Sequence, residues 1–68
     1  MPVLIYEGPK LDQNQRKEMI GALTDAACKV IPNVPREAYY VFLRDYPDEK
    51  IGVGGLTLAE YLEKIQKP

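Results

Sequence analysis

Two short apolar, β-prone runs separated by one long amphipathic stretch restrict this chain more than any other feature. Val3-Leu4-Ile5-Tyr6 is continuously apolar and stops at Gly8-Pro9, the pattern of a strand buried on both faces. Tyr39-Tyr40-Val41-Phe42-Leu43 is aromatic and β-branched, and the Tyr46-Pro47-Asp48 turn signal closes it. Between them, Asp12 and Gln15 have the spacing of a capping box. Met19, Ile20, Leu23, Ala26, Ala27, Val30 and Ile31 then recur about once per turn, lining one side of a helix of roughly 18 residues. Pro32 and Pro35 bracket its exit, since neither can continue a helix interior. Strand, helix and strand in this order predict a right-handed βαβ unit with parallel strands.

The remainder is short. Ile51-Gly52-Val53-Gly54-Gly55 is too rich in glycine for a rigid strand and predicts a short hairpin or bulge at an edge. Thr57 and Glu60 form a second capping box, opening a short helix with Leu58, Tyr61, Leu62 and Ile65 on one side. No linker, repeat or low-complexity tract interrupts the sequence. The expectation is one α/β (α+β) domain over residues 1–68.

Such a fold is incomplete alone. One helix covers one face of a two-stranded sheet, whereas parallel sheets are almost always covered on both. A chain this short hides only about 60% of the surface its unfolded form exposes. Disulfides, metals or partner subunits usually supply the deficit. Cys28 is the single cysteine, and there is neither a histidine nor a cysteine pair at zinc-ligand spacing. Self-association is the route left, and the 46% hydrophobic content supplies surface for it.

Charge narrows the partners further. Nine Lys and Arg oppose ten Asp and Glu, and only Arg16-Lys17 are adjacent, so no basic stripe marks a nucleic-acid footprint. No apolar run approaches the roughly 20 residues of a membrane span. The N-terminus lacks the basic start and apolar stretch of a signal peptide. A cytoplasmic protein is expected, and the lone Cys28 fits a reducing compartment.

Few residues are suited to chemistry. Acid–base enzymes usually recruit histidine, which is absent. Cys28 falls within the apolar periodicity of the long helix, as a buried structural thiol would. Capping and solvation account for Asp12, Glu18, Asp25, Glu60 and Glu63, which leaves Glu7 and Asp45 at strand ends. Gly52, Gly54 and Gly55 do not lead from a strand into a helix at dinucleotide-binding spacing. Pro2 is different. A small second residue generally permits removal of the initiator Met1, which would expose a secondary amine fixed on a ring. An ordinary α-amino group titrates near 7.7–8.0, and nearby cations or an apolar wall lower that value, so a neutral proton acceptor is within reach. The structural alternative is that Pro2 merely begins an edge strand.

The order Met-Pro, apolar strand, Glu7-Gly8, capped helix, Pro35, second strand and Ile51-Gly52-Val53-Gly54-Gly55 resembles the 4-oxalocrotonate tautomerase family, specifically its small single-βαβ members. The likeness spans about residues 2 to 56, and its most specific marks are the N-terminal proline and the Gly-Val-Gly-Gly segment. It implies subunits that pair into dimers and build hexamers, and a proton moved through an enol or dienol of a small oxo acid. It also implies that Pro2 is the base, with no metal or cofactor. The family's first carboxylate-binding arginine falls near Gly8-Pro9-Lys10-Leu11, which makes Lys10 the nearest cation, although a lysine lacks the bidentate fork. A solvated loop lysine is the alternative for it. The family's second arginine falls at Tyr40, and its aromatic pocket wall falls at Ile51. Strand alternation groups Tyr40, Phe42 and Arg44 on one side, so Arg44 either reaches the same pocket or pairs with Asp45 or Glu49. Tyr40 either donates to an enolate oxygen or packs in the core. Two other readings stay open: a hydratase, dehalogenase or imine-forming enzyme using the same amine, and a non-catalytic oligomeric ligand-binding subunit.

Overall fold

The two apolar runs become parallel neighbours. In the computed structural model, which describes residues 1–66, strand β1 (Val3–Pro9) pairs with β2 (Tyr40–Tyr46) in a register that sets Val3 against Tyr40 and Glu7 against Arg44. Helix α1 (Gln13–Val30) connects them. Its capping box is formed on both sides: Gln15 N–H donates to Asp12 Oδ1 at 2.8 Å, and Asp12 N–H donates to Gln15 Oε1 at 3.0 Å. Two donors that the first helical turn leaves unpaired are thereby satisfied.

Both strands run longer than the sequence reading placed them, and β2 begins one residue later. Tyr39 is left out because it anchors the end of α1. Its hydroxyl donates to the Ile31 carbonyl at 2.8 Å, and at 8% exposure it is the most buried hydrophobic residue. That removal from water pushes its phenol above the usual value, with a smaller contribution from Cys28. Cys28 itself is half-buried rather than enclosed.

The strands alternate half-buried and exposed residues. Leu4, Tyr6, Val41, Leu43 and Asp45 are the half-buried set. On the opposite face Val3, Ile5, Tyr40 and Phe42 are 46%, 48%, 46% and 50% exposed. Burial of β1 on both faces is therefore not achieved within one chain, because a single helix can screen only one side of the sheet. Part of the α1 periodicity is also left uncovered: Met19, Leu23 and Ala27 are half-buried, whereas Ile20, Ala26, Val30 and Ile31 are exposed.

Beyond β2, a 3₁₀ turn (Asp48–Lys50) leads into a hairpin of β3 (Gly52–Val53) and β4 (Leu56–Thr57), and then into α2 (Leu58–Gln66). The two-residue hairpin loop requires left-handed backbone at both positions, which Gly54 (φ 58°) and Gly55 (φ 88°) supply. The Leu58 N–H extends the hairpin by donating to the Ile51 carbonyl at 2.7 Å. The second capping box also forms, with Glu60 N–H on Thr57 Oγ1 at 3.1 Å and Thr57 N–H on Glu60 Oε1 at 2.9 Å. These bonds hold the Glu60 carboxyl below its ordinary range. Leu58, Tyr61 and Leu62 are half-buried, while Ile65 stays exposed. The molecule extends over 50 × 21 × 20 Å with a radius of gyration of 15.9 Å. A compact domain of this length would have a radius near 11 Å.

Candidate active site

Pro2 lies at the head of β1, where the Tyr40 N–H donates to its carbonyl at 3.0 Å. That bond extends the parallel ladder by one residue and fixes the start of the chain beside the start of β2. Met1 projects beyond it at 80% exposure. While Met1 is attached, the Pro2 nitrogen is an amide and has no basicity. The terminus is open to solvent, where trimming can reach it.

Of the residues singled out in the sequence, one chain brings only Pro2 and Tyr40 together. Tyr40 is on the open face next to Val3, and its hydroxyl has no partner among the described residues. Lys10 follows the far end of β1, about 26 Å from Pro2 at the usual rise of an extended strand. It is exposed and, among the described residues, unpaired. Arg44 is at the level of Glu7, about 16 Å along the sheet from Pro2 by the same rise. Its NH1 lies 3.7 Å from Glu7 Oε1, so its partner is neither Asp45 nor Glu49. Ile51, half-buried, precedes the hairpin beyond the end of β2.

The reason Arg44 and Asp45 do not pair is alternation, which sends neighbouring side chains to opposite faces. Asp45 points to the helix side. Its Oδ2 accepts from the Leu11 N–H and from Arg16 Nε, each at 3.0 Å. Its side chain is only 15% exposed. The Leu11 N–H first, and then the Arg16 guanidinium, hold the Asp45 carboxyl below the ordinary carboxylate range, against the opposing pull of desolvation. Sequence reasoning marked Asp45 as worth attention but missed its partners, which lie 29 and 34 residues away. The alternation that groups Arg44 with Tyr40 already implied that Asp45 faces the helix.

At the end of β1 the geometry is tight. The Tyr6 ring folds over Gly8, where an added Cβ would lie 2.8 Å from the hydroxyl oxygen, and that hydroxyl donates to the Pro9 carbonyl at 2.9 Å. Glycine at position 8 leaves room for this bond. Among the described residues, no group of three or more His, Cys, Asp or Glu is placed to hold a metal ion. No helix among them is long and apolar enough to cross a membrane.

Comparison with known proteins agrees with this arrangement. A family model described as tautomerase enzyme matches residues 2–61. Among solved structures, the chain is similar to an unfused 4-OT in its apo form, with a TM-score of 0.75 and 28% identity over 88% of this chain and 98% of that one. It is likewise similar to DmpI from Archaeoglobus fulgidus, with a TM-score of 0.70 and 40% identity over 85% of this chain and 98% of that one. A comparison with curated protein sequences returns no match.

Proposed function

The chain belongs to the tautomerase family, and from that premise we propose that it is an isomerase whose base is the amine of Pro2. The substrate is a small 2-oxo or enol carboxylic acid. The neutral amine takes a proton from carbon or from the enol hydroxyl and returns it at another position. A cation, Lys10 or Arg44, orients the substrate carboxylate, and the Tyr40 hydroxyl donates to the enolate oxygen. Ile51 supplies apolar wall, which favours the uncharged amine. The observation that carries the reading is the position of Pro2, held at the head of a hydrogen-bonded strand beside Tyr40.

The spread of these residues along the sheet bears on the assembly. Pro2 lies at one end, and Lys10 and Arg44 lie toward the other. A two-fold axis across the strands sets the head of one copy against the tail of the next, and both copies gain the same contact. The exposed apolar face gives such an assembly its driving force. A homo-oligomer built from dimers, ultimately a hexamer, therefore completes each site with residues of a neighbouring copy. The free thiol of Cys28 is compatible with a cytoplasmic location.

The test is ketonisation of 2-hydroxymuconate or phenylenolpyruvate by protein whose intact mass shows loss of Met1. Removal of a general base costs about a hundredfold or more, so Pro2→Ala should lower kcat by at least that factor. An unchanged rate would refute the mechanism, and a borohydride-trapped adduct at Pro2 would redirect it to imine chemistry. One feature favours a second reading: Tyr40 stands where related sequences carry a carboxylate-binding arginine. A processed protein that binds an oxo acid tightly without turning it over would be a ligand-binding subunit.

A further inference from the structure

Lys10 sits between two tethers. On one side the Tyr6 hydroxyl holds the Pro9 carbonyl at 2.9 Å, and on the other Asp45 Oδ2 holds the Leu11 N–H at 3.0 Å. Only the torsions of Lys10 itself lie between them. The second tether is the unusual one. In the Asp25–Arg36 and Glu7–Arg44 pairs all four side chains are more than half exposed, whereas that of Asp45 is 15% exposed. A carboxylate so far withdrawn from water persists because the Leu11 amide and the Arg16 guanidinium replace its hydration. Asp45 also follows Arg44 directly in β2, so the strand that presents one candidate cation fixes the loop that presents the other.

We infer that Asp45 is a positioning residue for substrate binding, fixing the Lys10–Leu11 backbone so that Lys10 meets the substrate carboxylate in a set direction. The inference rests on the proposed role of Lys10. A lysine on a free loop spreads its charge over many orientations, and the substrate must then order the loop as it binds. A tethered loop is ordered beforehand. Asp45 touches neither substrate nor reacting atoms, so its removal should weaken recognition of the carboxylate and leave the proton transfer at Pro2 alone.

The experiment is steady-state kinetics of the full processed chain on phenylenolpyruvate and on its methyl ester, which lacks the anionic group. Asp45→Asn and Lys10→Ala should each raise KM for the acid by about tenfold, with kcat nearly unchanged, and leave the ester unaffected. The double variant should be no worse than Lys10→Ala, and Asp45→Glu should recover part of the loss. Equal losses on acid and ester, or additive effects with Lys10→Ala, would reduce Asp45 to a stabilising contact and overturn the inference. If Lys10→Ala raises KM and Asp45→Asn does not, the inference falls while Lys10 keeps its role. If Lys10→Ala has no effect, the assignment of Lys10 falls and the inference with it, whereas the Pro2→Ala result stands separately. Should Asp45→Asn not fold, Arg16→Gln removes one of the two donors and leaves Asp45 in place. A KM rise confined to the acid then supports the inference, and equal losses on both substrates overturn it.

Discussion

Asp45 makes stability as well as geometry depend on a single ionised carboxyl. Its folded-state pKa is depressed, so the stabilisation is complete above the unfolded value of about 3.9 and is lost as pH falls through the lower folded value. Urea midpoints of the wild type and Asp45→Asn should therefore differ most between pH 5 and pH 7, roughly, with the wild type higher. The gap should close on acidification, when the protonated carboxyl resembles the amide. A gap that persisted unchanged well below pH 3, roughly, would show that the charge does not matter. Pro2 was legible in the sequence, because its chemistry follows from its place in the chain. Asp45 was only half legible. Alternation gives its face, but the amide and guanidinium it meets are brought there by the path of α1. Tyr39 was misread for a similar reason: β propensity placed it in the strand, while a hydrogen bond to the end of α1 holds it outside.

Elements defined by local chemistry were easier to read than those defined by contact. Both capping boxes form at the residues whose spacing announced them, because their partners lie three residues apart. Replacing Asp12 by Ala leaves the Gln15 N–H without its acceptor and should cost about 1 kcal/mol of stability in chemical denaturation. The glycine segment was also read correctly as a hairpin. A β-branched residue at Gly54 would be forced to φ 58°, so Gly54→Val should destabilise by about 1–2 kcal/mol. Nothing within 4 Å would crowd its Cβ, so the loss would come from backbone strain. What the periodicity of α1 did not reveal is which apolar residues face the sheet. Val30 and Ile31 continue the repeat on paper, yet the helix ends there and turns them outward.

At the scale of the molecule, the bare sheet face was the furthest-reaching of the sequence expectations, since it followed from counting the layers of the fold. The structure leaves Val3, Ile5, Tyr40 and Phe42 on that face, and the chain is too extended to fold back over it. If other copies cover the face, folding and association are coupled, and the melting temperature should rise with protein concentration. Ile5→Asp separates the two contributions. In one isolated chain this position is 48% exposed, so a charge there disturbs little of the packing under α1. Within an assembly the same carboxylate would be buried without a partner, a cost that disfavours association. The variant should sediment as a smaller species, lose the concentration dependence of melting and lose activity, because Pro2 and Lys10 lie at opposite ends of a single chain. An Ile5→Asp protein that was monomeric yet fully active would place the whole site within one subunit, which the length of the sheet opposes.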